Sequence, residues 1–322
     1  MSSHTKKFFS YYKPYLRVFL SVMFCAFLVA GITLLFPLLT RYITKTVLEG
    51  RMPNALSEIY RTGTLMLVLI LIHTVCNSYV DYYGHAMGAM MESDMRKELF
   101  DHYQKLRFRF YDYQRTVQLL SRITNDLFSL AELYHHAPED YLIYSVKFIG
   151  AFIVLLNINA PLTLAIFLFL PILAIFSLYL TKKLNVAFKE SRERIGDVNA
   201  QVEDTLAGIR VVKSFTNEET EKQKFARENN RFLESRKNIY LNETYIWQGV
   251  DAVTKLITLT VVVYGGVNIV NARLDLPDLI TFLLYIGNLI EPIQKLTHMT
   301  EQFQEGITGF QRFMEILEIE PE

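Results

Sequence analysis

Six long apolar runs constrain this sequence more than any other feature. A hydrocarbon core about 30 Å thick is crossed by roughly 20 helical residues, and every run supplies about that number. The predicted spans are 16–40, 62–80, 141–159, 161–181, 244–270 and 276–296. The first run is too long for a secretory signal peptide and lacks a small-residue cleavage site. The sequence therefore predicts an all-α membrane protein with six transmembrane helices.

The placement of Lys and Arg predicts the orientation of the spans. The linker 81–140 carries seven basic residues and the linker 182–243 carries thirteen, whereas the 157–160 turn has none. We therefore expect both long linkers and both termini on the cytoplasmic side. The 41–61 loop, with four basic residues, is a mild exception. The net charge of zero gives no argument for a nucleic-acid partner.

Both long linkers keep a helical period. Before the fifth span, apolar residues recur at steps of seven: Phe225, Phe232, Ile239 and Ile246. The spans are therefore expected to continue out of the bilayer as amphipathic rods, about 40 Å long for the 26 residues after 182. Two helical hairpins, 81–140 and 182–243, would each end in a short exposed segment suited to docking another protein. Gly208 is expected to relax the backbone at the second tip.

Six polar residues within the predicted spans are candidates for a transport pathway: His73, Asn77, Lys147, Asp251, Lys255 and Glu291. Charged groups at bilayer depth are costly and usually face the bundle interior or water. Asp251 and Lys255 are four residues apart and can pair, although a substrate or proton contact stays open. Lys147 and Glu291 read as single charges that either snorkel to the interface or serve transport. The His–Asn pair either bonds a neighbouring helix or lines a cavity.

The residues predict no catalytic, cofactor or metal site. Both cysteines lie inside apolar runs, where a thiol behaves as a small hydrophobe. His135 and His136 are the only adjacent histidines, and neighbours on a helix are expected to point apart. The GxxxG pattern of Gly84 and Gly88 predicts close helix packing and nothing more specific.

Two stretches lie at the predicted hairpin tips, FYDYQRTVQLLSRITNDL (110–127) and EDTLAGIRVVKSFTNEETEKQKF (203–225). The first resembles the first intracellular loop of ABC exporters, and the second resembles the second intracellular loop of that family. YYKPYLRVF near the start is similar to the elbow and first helix of that family, which places an elbow at 1–15. GFQRFMEILEIEPE at the end is similar to the segment that leads into the nucleotide-binding domain. The resemblance covers essentially the whole chain.

This resemblance implies the ABC exporter transmembrane fold as a single domain over 1–322. Its expected partners are a second copy or a homologous half-transporter, an ATP-binding domain, membrane lipid and an amphipathic substrate. Short coupling helices at the hairpin tips would press into the ATP-binding domains. Carried over, they would include Gln114, Arg115, Thr116 and Val117 in the first, and Ala207, Gly208, Ile209 and Arg210 in the second. Val117 departs from the family pattern, which commonly has Gly there.

The implied activity is ATP-driven export of amphipathic small molecules or lipids across a bacterial plasma membrane. No Gly in the sequence is followed by Lys, so a Walker A loop is absent from these residues. We expect that the chain does not itself hydrolyse ATP, that ATP and Mg²⁺ belong to a missing nucleotide-binding domain, and that the chain is a truncated half-transporter. A non-transporting receptor or scaffold, whose hairpins dock a soluble partner, stays open as the alternative.

Overall fold

The computed structural model describes residues 3–322, apart from the side chains at 3, 294, 296–298, 300 and 301. Residues 1 and 2 of the predicted elbow, and side chains 294 and 296 of the predicted sixth span, lie outside the described part. The chain divides into two compact units. The first comprises the chain up to 165 together with 260–322, and the second comprises 166–259.

The described residues are almost entirely helical. The helices are α1 (Ser3–Ser10), α2 (Leu16–Arg41), α3 (Ala55–Tyr103), α4 (Phe108–Tyr113), α5 (Thr116–Ser121), α6 (Leu127–Ile158), α7 (Ala160–Ala207), α8 (Ile209–Ser214), α9 (Glu218–Val270) and α10 (Leu276–Leu317). A 3₁₀ turn spans Lys13–Tyr15, and π-helical turns span Tyr42–Glu49 and Arg122–Asp126. Within the described part of the chain, six helical segments are long and apolar enough to cross a membrane. The predicted fold class is confirmed.

The helices that contain the spans are much longer than a bilayer requires. Helix α3 has 49 residues, α7 has 48 and α9 has 53. At 1.5 Å per residue these are about 70–80 Å long, more than twice the hydrocarbon thickness. The spans therefore continue outside the membrane as helix, as the apolar period of the linkers predicts.

Asn159 makes the tight connection between the third and fourth spans. Its extended backbone (φ −154°, ψ 100°) ends α6. Its side-chain Oδ1 then accepts a hydrogen bond from the Leu162 N–H at 3.0 Å, which caps the start of α7. The Asn159 carbonyl accepts a further bond from the Thr163 hydroxyl at 2.8 Å. Two spans can thus be joined with almost no loop.

The main core of the first unit forms where α1, α3, α6 and α10 meet. Its fully buried side chains include Met87, Met91, Met95 and Leu99 of α3, Tyr134 of α6 and Phe313 of α10. The Tyr12 hydroxyl donates to the Tyr134 carbonyl at 2.6 Å, and the Tyr134 hydroxyl donates to the Phe8 carbonyl at 3.0 Å. These bonds fasten the N-terminal segment to α6.

Ion pairs at the opposite end of this unit explain the basic residues of the 41–61 loop. Arg41 Nε donates to Asp278 Oδ1 at 2.5 Å, and Lys45 Nζ donates to Asp278 Oδ2 at 2.7 Å. Lys45 also lies 2.8 Å from a carboxylate oxygen of Asp275. Acidic residues of α10 and its N-cap therefore neutralise two of the four basic residues. These two residues are consequently weak evidence about the side of the membrane on which the loop lies.

Candidate functional sites

The first hairpin ends in the six-residue helix α5. Gln114 and Arg115 precede it in extended conformation, with ψ of 139° and 126°, so the chain turns sharply between α4 and α5. Val117 in the first turn of α5 is 78% exposed, and Leu120 is exposed as well. Gln114 and Arg115 therefore lie between two helices, and Thr116 and Val117 begin the short helix α5, which has exposed apolar side chains.

The departure at Val117 does not disturb the local backbone. Among the described residues, positive φ angles outside glycine occur at Arg51, Thr216 and Ala272 only. Val117 lies inside α5, and the turn is made by the two residues before it. This position therefore imposes no conformation that would favour glycine.

The second hairpin ends in another six-residue helix, α8. Helix α7 ends at Ala207, and Gly208 is the N-cap of α8 with φ −91°, which any L-residue adopts. The chain reverses at Thr216, whose φ of 50° is a left-handed conformation that β-branched residues rarely adopt. Phe215, beside this reversal, is 78% exposed. The second tip thus has two breaks, one at the predicted Gly208 and one eight residues later.

Glu221 at the start of α9 holds the second tip together. Its Oε2 accepts hydrogen bonds from Gln201 Nε2 at 3.0 Å and Thr205 Oγ1 at 2.8 Å, both on α7. Its Oε1 accepts a bond from Lys224 Nζ at 2.7 Å. The Lys224 bond, with the Thr205 bond next, lowers the pKa of the Glu221 carboxyl. The carboxylate therefore stabilises the hairpin in its ionised form.

An apolar groove lies beside α8 in the same unit. Its lining includes Val202, Leu206, Ile209, Val212 and Phe225. The polar rim of the groove includes Glu218, Glu221 and Lys222. An exposed apolar surface with a charged rim is typical of a site that docks another protein.

The first hairpin is fastened to α10. Arg312 Nη1 lies 3.2 Å from Asp126 Oδ1, and Arg122 Nη1 donates to the Arg312 carbonyl at 3.1 Å. Gly309 of α10 packs directly on this turn, because a Cβ there would stand 2.5 Å from the Asp126 carbonyl oxygen. The π-helical turn Arg122–Asp126 is therefore held in direct contact with α10.

The structure pairs the two charges that the sequence presents as separate. Lys147 Nζ on α6 donates to Glu291 Oε2 on α10 at 2.9 Å. The Lys147 side chain is largely buried, whereas that of Glu291 is 44% exposed. Reading them as two single charges is wrong, because an interhelical ion pair neutralises both. Residues 144 positions apart leave no local signal of such a pair.

The other polar candidates in the spans differ in their surroundings. Asp251 and Lys255 form their ion pair at 2.7 Å, with side chains 50% and 76% exposed. His73 Nε2 lies 3.5 Å from Thr33 Oγ1 on α2, at the outer limit of a hydrogen bond. Asn77 is exposed and has no hydrogen-bond partner within the part of the chain that the structure describes.

A group of potential metal ligands lies at the base of the first hairpin. His85 of α3 meets Glu132, His135 and His136 of α6, and their nearest ligand atoms all lie within 4.8 Å of one another. The ring centroids of His135 and His136 are 4.1 Å apart, so the expectation that they point apart is wrong. Sequence reasoning missed the group because His85 joins it only through the packing of two helices.

Six membrane-crossing helices with helical extensions and two short tip helices define the transmembrane domain of a transporter. The family model for the ABC transporter transmembrane region matches residues 19–293. The chain belongs to this family, and it is an integral membrane protein.

The sequences of curated relatives match this chain along most of its length. It is 38% identical to the uncharacterized ABC transporter ATP-binding protein YwjA of Bacillus subtilis, over 98% of this chain and 55% of that protein. It is 27% identical to YknV of the same organism, over 97% of this chain and 52% of that protein. It is 23% identical to an ATP-dependent lipid A-core flippase of Syntrophus aciditrophicus, over 87% of this chain and 47% of that protein. The chain spans about half the length of the curated relatives it matches.

Proposed function

We propose that the chain is the substrate-translocating module of an ATP-driven exporter of amphipathic small molecules or lipids. ATP and Mg²⁺ would bind to an associated ATP-binding domain, and two coupling helices would transmit its movement. The observation that carries this proposal is that both long hairpins end in a six-residue helix with exposed apolar side chains. The names of the relatives support the ATP-binding partner, and the flippase supports a lipid-like substrate.

The transmission route follows from the helices that join each tip to a span. Helix α9 runs without interruption from Glu218, next to α8, to Val270 at the far end of the fifth span. The first tip is tied to α10 by the Arg312–Asp126 pair. A push on either tip would therefore reach a span through continuous helix or through a charge-assisted contact.

A second copy, or a homologous half, would complete the pathway. The Asp251–Lys255 pair is exposed in a predicted span, although charged groups at bilayer depth usually face a bundle interior or water. Association of two chains, both with cytoplasmic termini in a bacterial plasma membrane, would place such groups at the shared pathway. Four other polar residues in the predicted spans remain candidates for contact with a substrate in this pathway: His73, Asn77, Lys147 and Glu291.

Reconstitution with an ATP-binding domain tests the proposal. The chain, joined at its C-terminal end to the ATP-binding domain of the 38% identical relative, is placed in vesicles with fluorescent lipids or an amphipathic dye. We expect ATP-dependent movement of the probe and probe-stimulated ATP hydrolysis. Replacing Val211 or Phe215 with Asp should remove the stimulation but leave basal hydrolysis.

Val186→Asp is the matched control, because Val186 is also exposed and apolar but lies on α7 more than twenty residues from the tip. It should keep the stimulation. Full coupling in the tip variants would refute the role of α8. If the unsubstituted protein showed no ATP-dependent movement of the probe but still bound a soluble protein at its tips, the scaffold function would be favoured.

A further inference from the structure

The histidine and glutamate side chains at the base of the first hairpin have the composition of a transition-metal site. We propose that His85, Glu132, His135 and His136 bind one divalent metal ion of the zinc type, with three imidazole nitrogens and one carboxylate oxygen as ligands. Imidazole and carboxylate are the usual partners of such ions. All four residues belong to the first unit, and all lie outside the predicted spans.

His135 supplies the strongest argument. It is only 3% exposed, and its Nε2 has no hydrogen-bond partner among the side chains that the structure describes. Its Nδ1 lies 3.1 Å from the Ala131 carbonyl, so Nδ1 carries the proton and donates it there. In the neutral imidazole the Nε2 lone pair is therefore buried, and no donor among the described residues faces it. A histidine that ligates a metal through one nitrogen commonly donates the other N–H to a carbonyl in this way.

His85 has the same arrangement on the other helix. Its Nδ1 lies 2.7 Å from the Asp81 carbonyl, so its Nε2 is also left with a free lone pair. The His85 ring centroid lies 4.4 Å from that of His135 and 5.2 Å from that of His136. The side chain of His85 is half exposed, which gives an ion a route from solvent to the buried nitrogen.

The distances require only small side-chain movements. Two ligands on one tetrahedral zinc ion lie about 3.4 Å apart, given bonds of about 2.0–2.1 Å. His136 Nε2 and Glu132 Oε2 are 3.5 Å apart, close to that value. All four ligand atoms lie within 4.8 Å of one another, and the half-exposed side chain of His85 has room to adjust its position.

Close packing of α3 on α6 sets up the group. A Cβ at Gly88 would lie 2.9 Å from His135 Nδ1 and 3.2 Å from the Ala131 carbonyl oxygen. Glycine at this position therefore lets the helices approach until His85 and His135 are neighbours. The GxxxG pattern thus has a specific consequence, because a bound ion would cross-link α3 and α6 at the base of the hairpin.

The test is metal binding by the full chain in detergent. The protein is stripped with a chelator, desalted and titrated with Zn²⁺ and with Co²⁺, whose visible absorption reports coordination by imidazole. We expect about one equivalent per chain, a higher melting temperature with Zn²⁺ because the ion binds the folded state, and no competition from excess Mg²⁺, which prefers oxygen ligands.

His85→Ala is the main variant, because its half-exposed side chain can be removed without opening a cavity. It should lower Zn²⁺ affinity at least tenfold and reduce the thermal shift at a fixed Zn²⁺ concentration, with an unchanged circular dichroism spectrum. His102→Ala is the matched control on the same helix, since His102 Nε2 contacts the Ile319 carbonyl at 3.1 Å instead. Binding below 0.2 equivalents in the unsubstituted chain, equal loss in both variants, or displacement by Mg²⁺ would each overturn the proposal.

Discussion

Gly309→Ala tests the contact that fastens the first hairpin to α10. The added methyl group would stand 2.5 Å from the Asp126 carbonyl oxygen and 3.3 Å from its carbon. Optimal contacts between such atoms lie at about 3.5–4 Å. The obstacle is backbone in a π-helical turn that also holds the Arg312–Asp126 pair, so it cannot rotate away as a side chain would.

The expected effect is the difference of two terms. Overpacking of this kind costs about 1–3 kcal/mol, and a rigid backbone obstacle places it near the upper end. Alanine regains about 1 kcal/mol of helix propensity over glycine. We therefore expect a net destabilisation of about 2 kcal/mol, which for a chain of this size lowers the melting temperature by about 4 °C.

Gly196→Ala is the control, because Gly196 is exposed in the part of α7 beyond the predicted span and a Cβ there meets no atom within 4 Å. It should raise the melting temperature by about 2 °C. Unfolding in detergent is followed by circular dichroism and by labelling of Cys25 and Cys76 with a thiol-reactive dye, since Cys76 is buried. A Gly309→Ala variant that melts at or above the unsubstituted protein would refute the close packing of α10.

Two further predictions concern ion pairs. Lys147→Met should destabilise the protein by about 1–2 kcal/mol. This is less than the 3–5 kcal/mol lost when a fully buried pair is broken, because Glu291 is 44% exposed. Adding Glu291→Gln should restore most of the lost stability, and a double variant as unstable as the single one would contradict the pairing. Glu221→Gln should destabilise the second hairpin at neutral pH, more than Glu219→Gln, whose carboxylate is exposed. Because the pKa of Glu221 is lowered on folding, its contribution is present above the unfolded pKa and lost as the pH falls through the folded one, so the two proteins should converge in acid melts.

The two hairpin tips illustrate how much of a structure a sequence pattern can predict. The resemblance predicts the tips near 114–117 and 207–210. The structure has an interruption between helices and a short helix at each of these positions. The resemblance does not reveal that Thr216 adopts a left-handed conformation or that Gly208 does not. Those details depend on how α7 and α9 meet across the Glu221 hydrogen bonds.

The sequence by itself determined the six spans and their helical continuation. Apolar length and backbone hydrogen bonding within each helix are local properties, because a segment in lipid must satisfy its own polar groups. The Lys147–Glu291 pair, the Gly309 contact and the metal-ligand group at His85 and His135 were decided by tertiary structure. Each joins side chains on different helices, so it depends on helix rotation and axial position, which no single helix encodes.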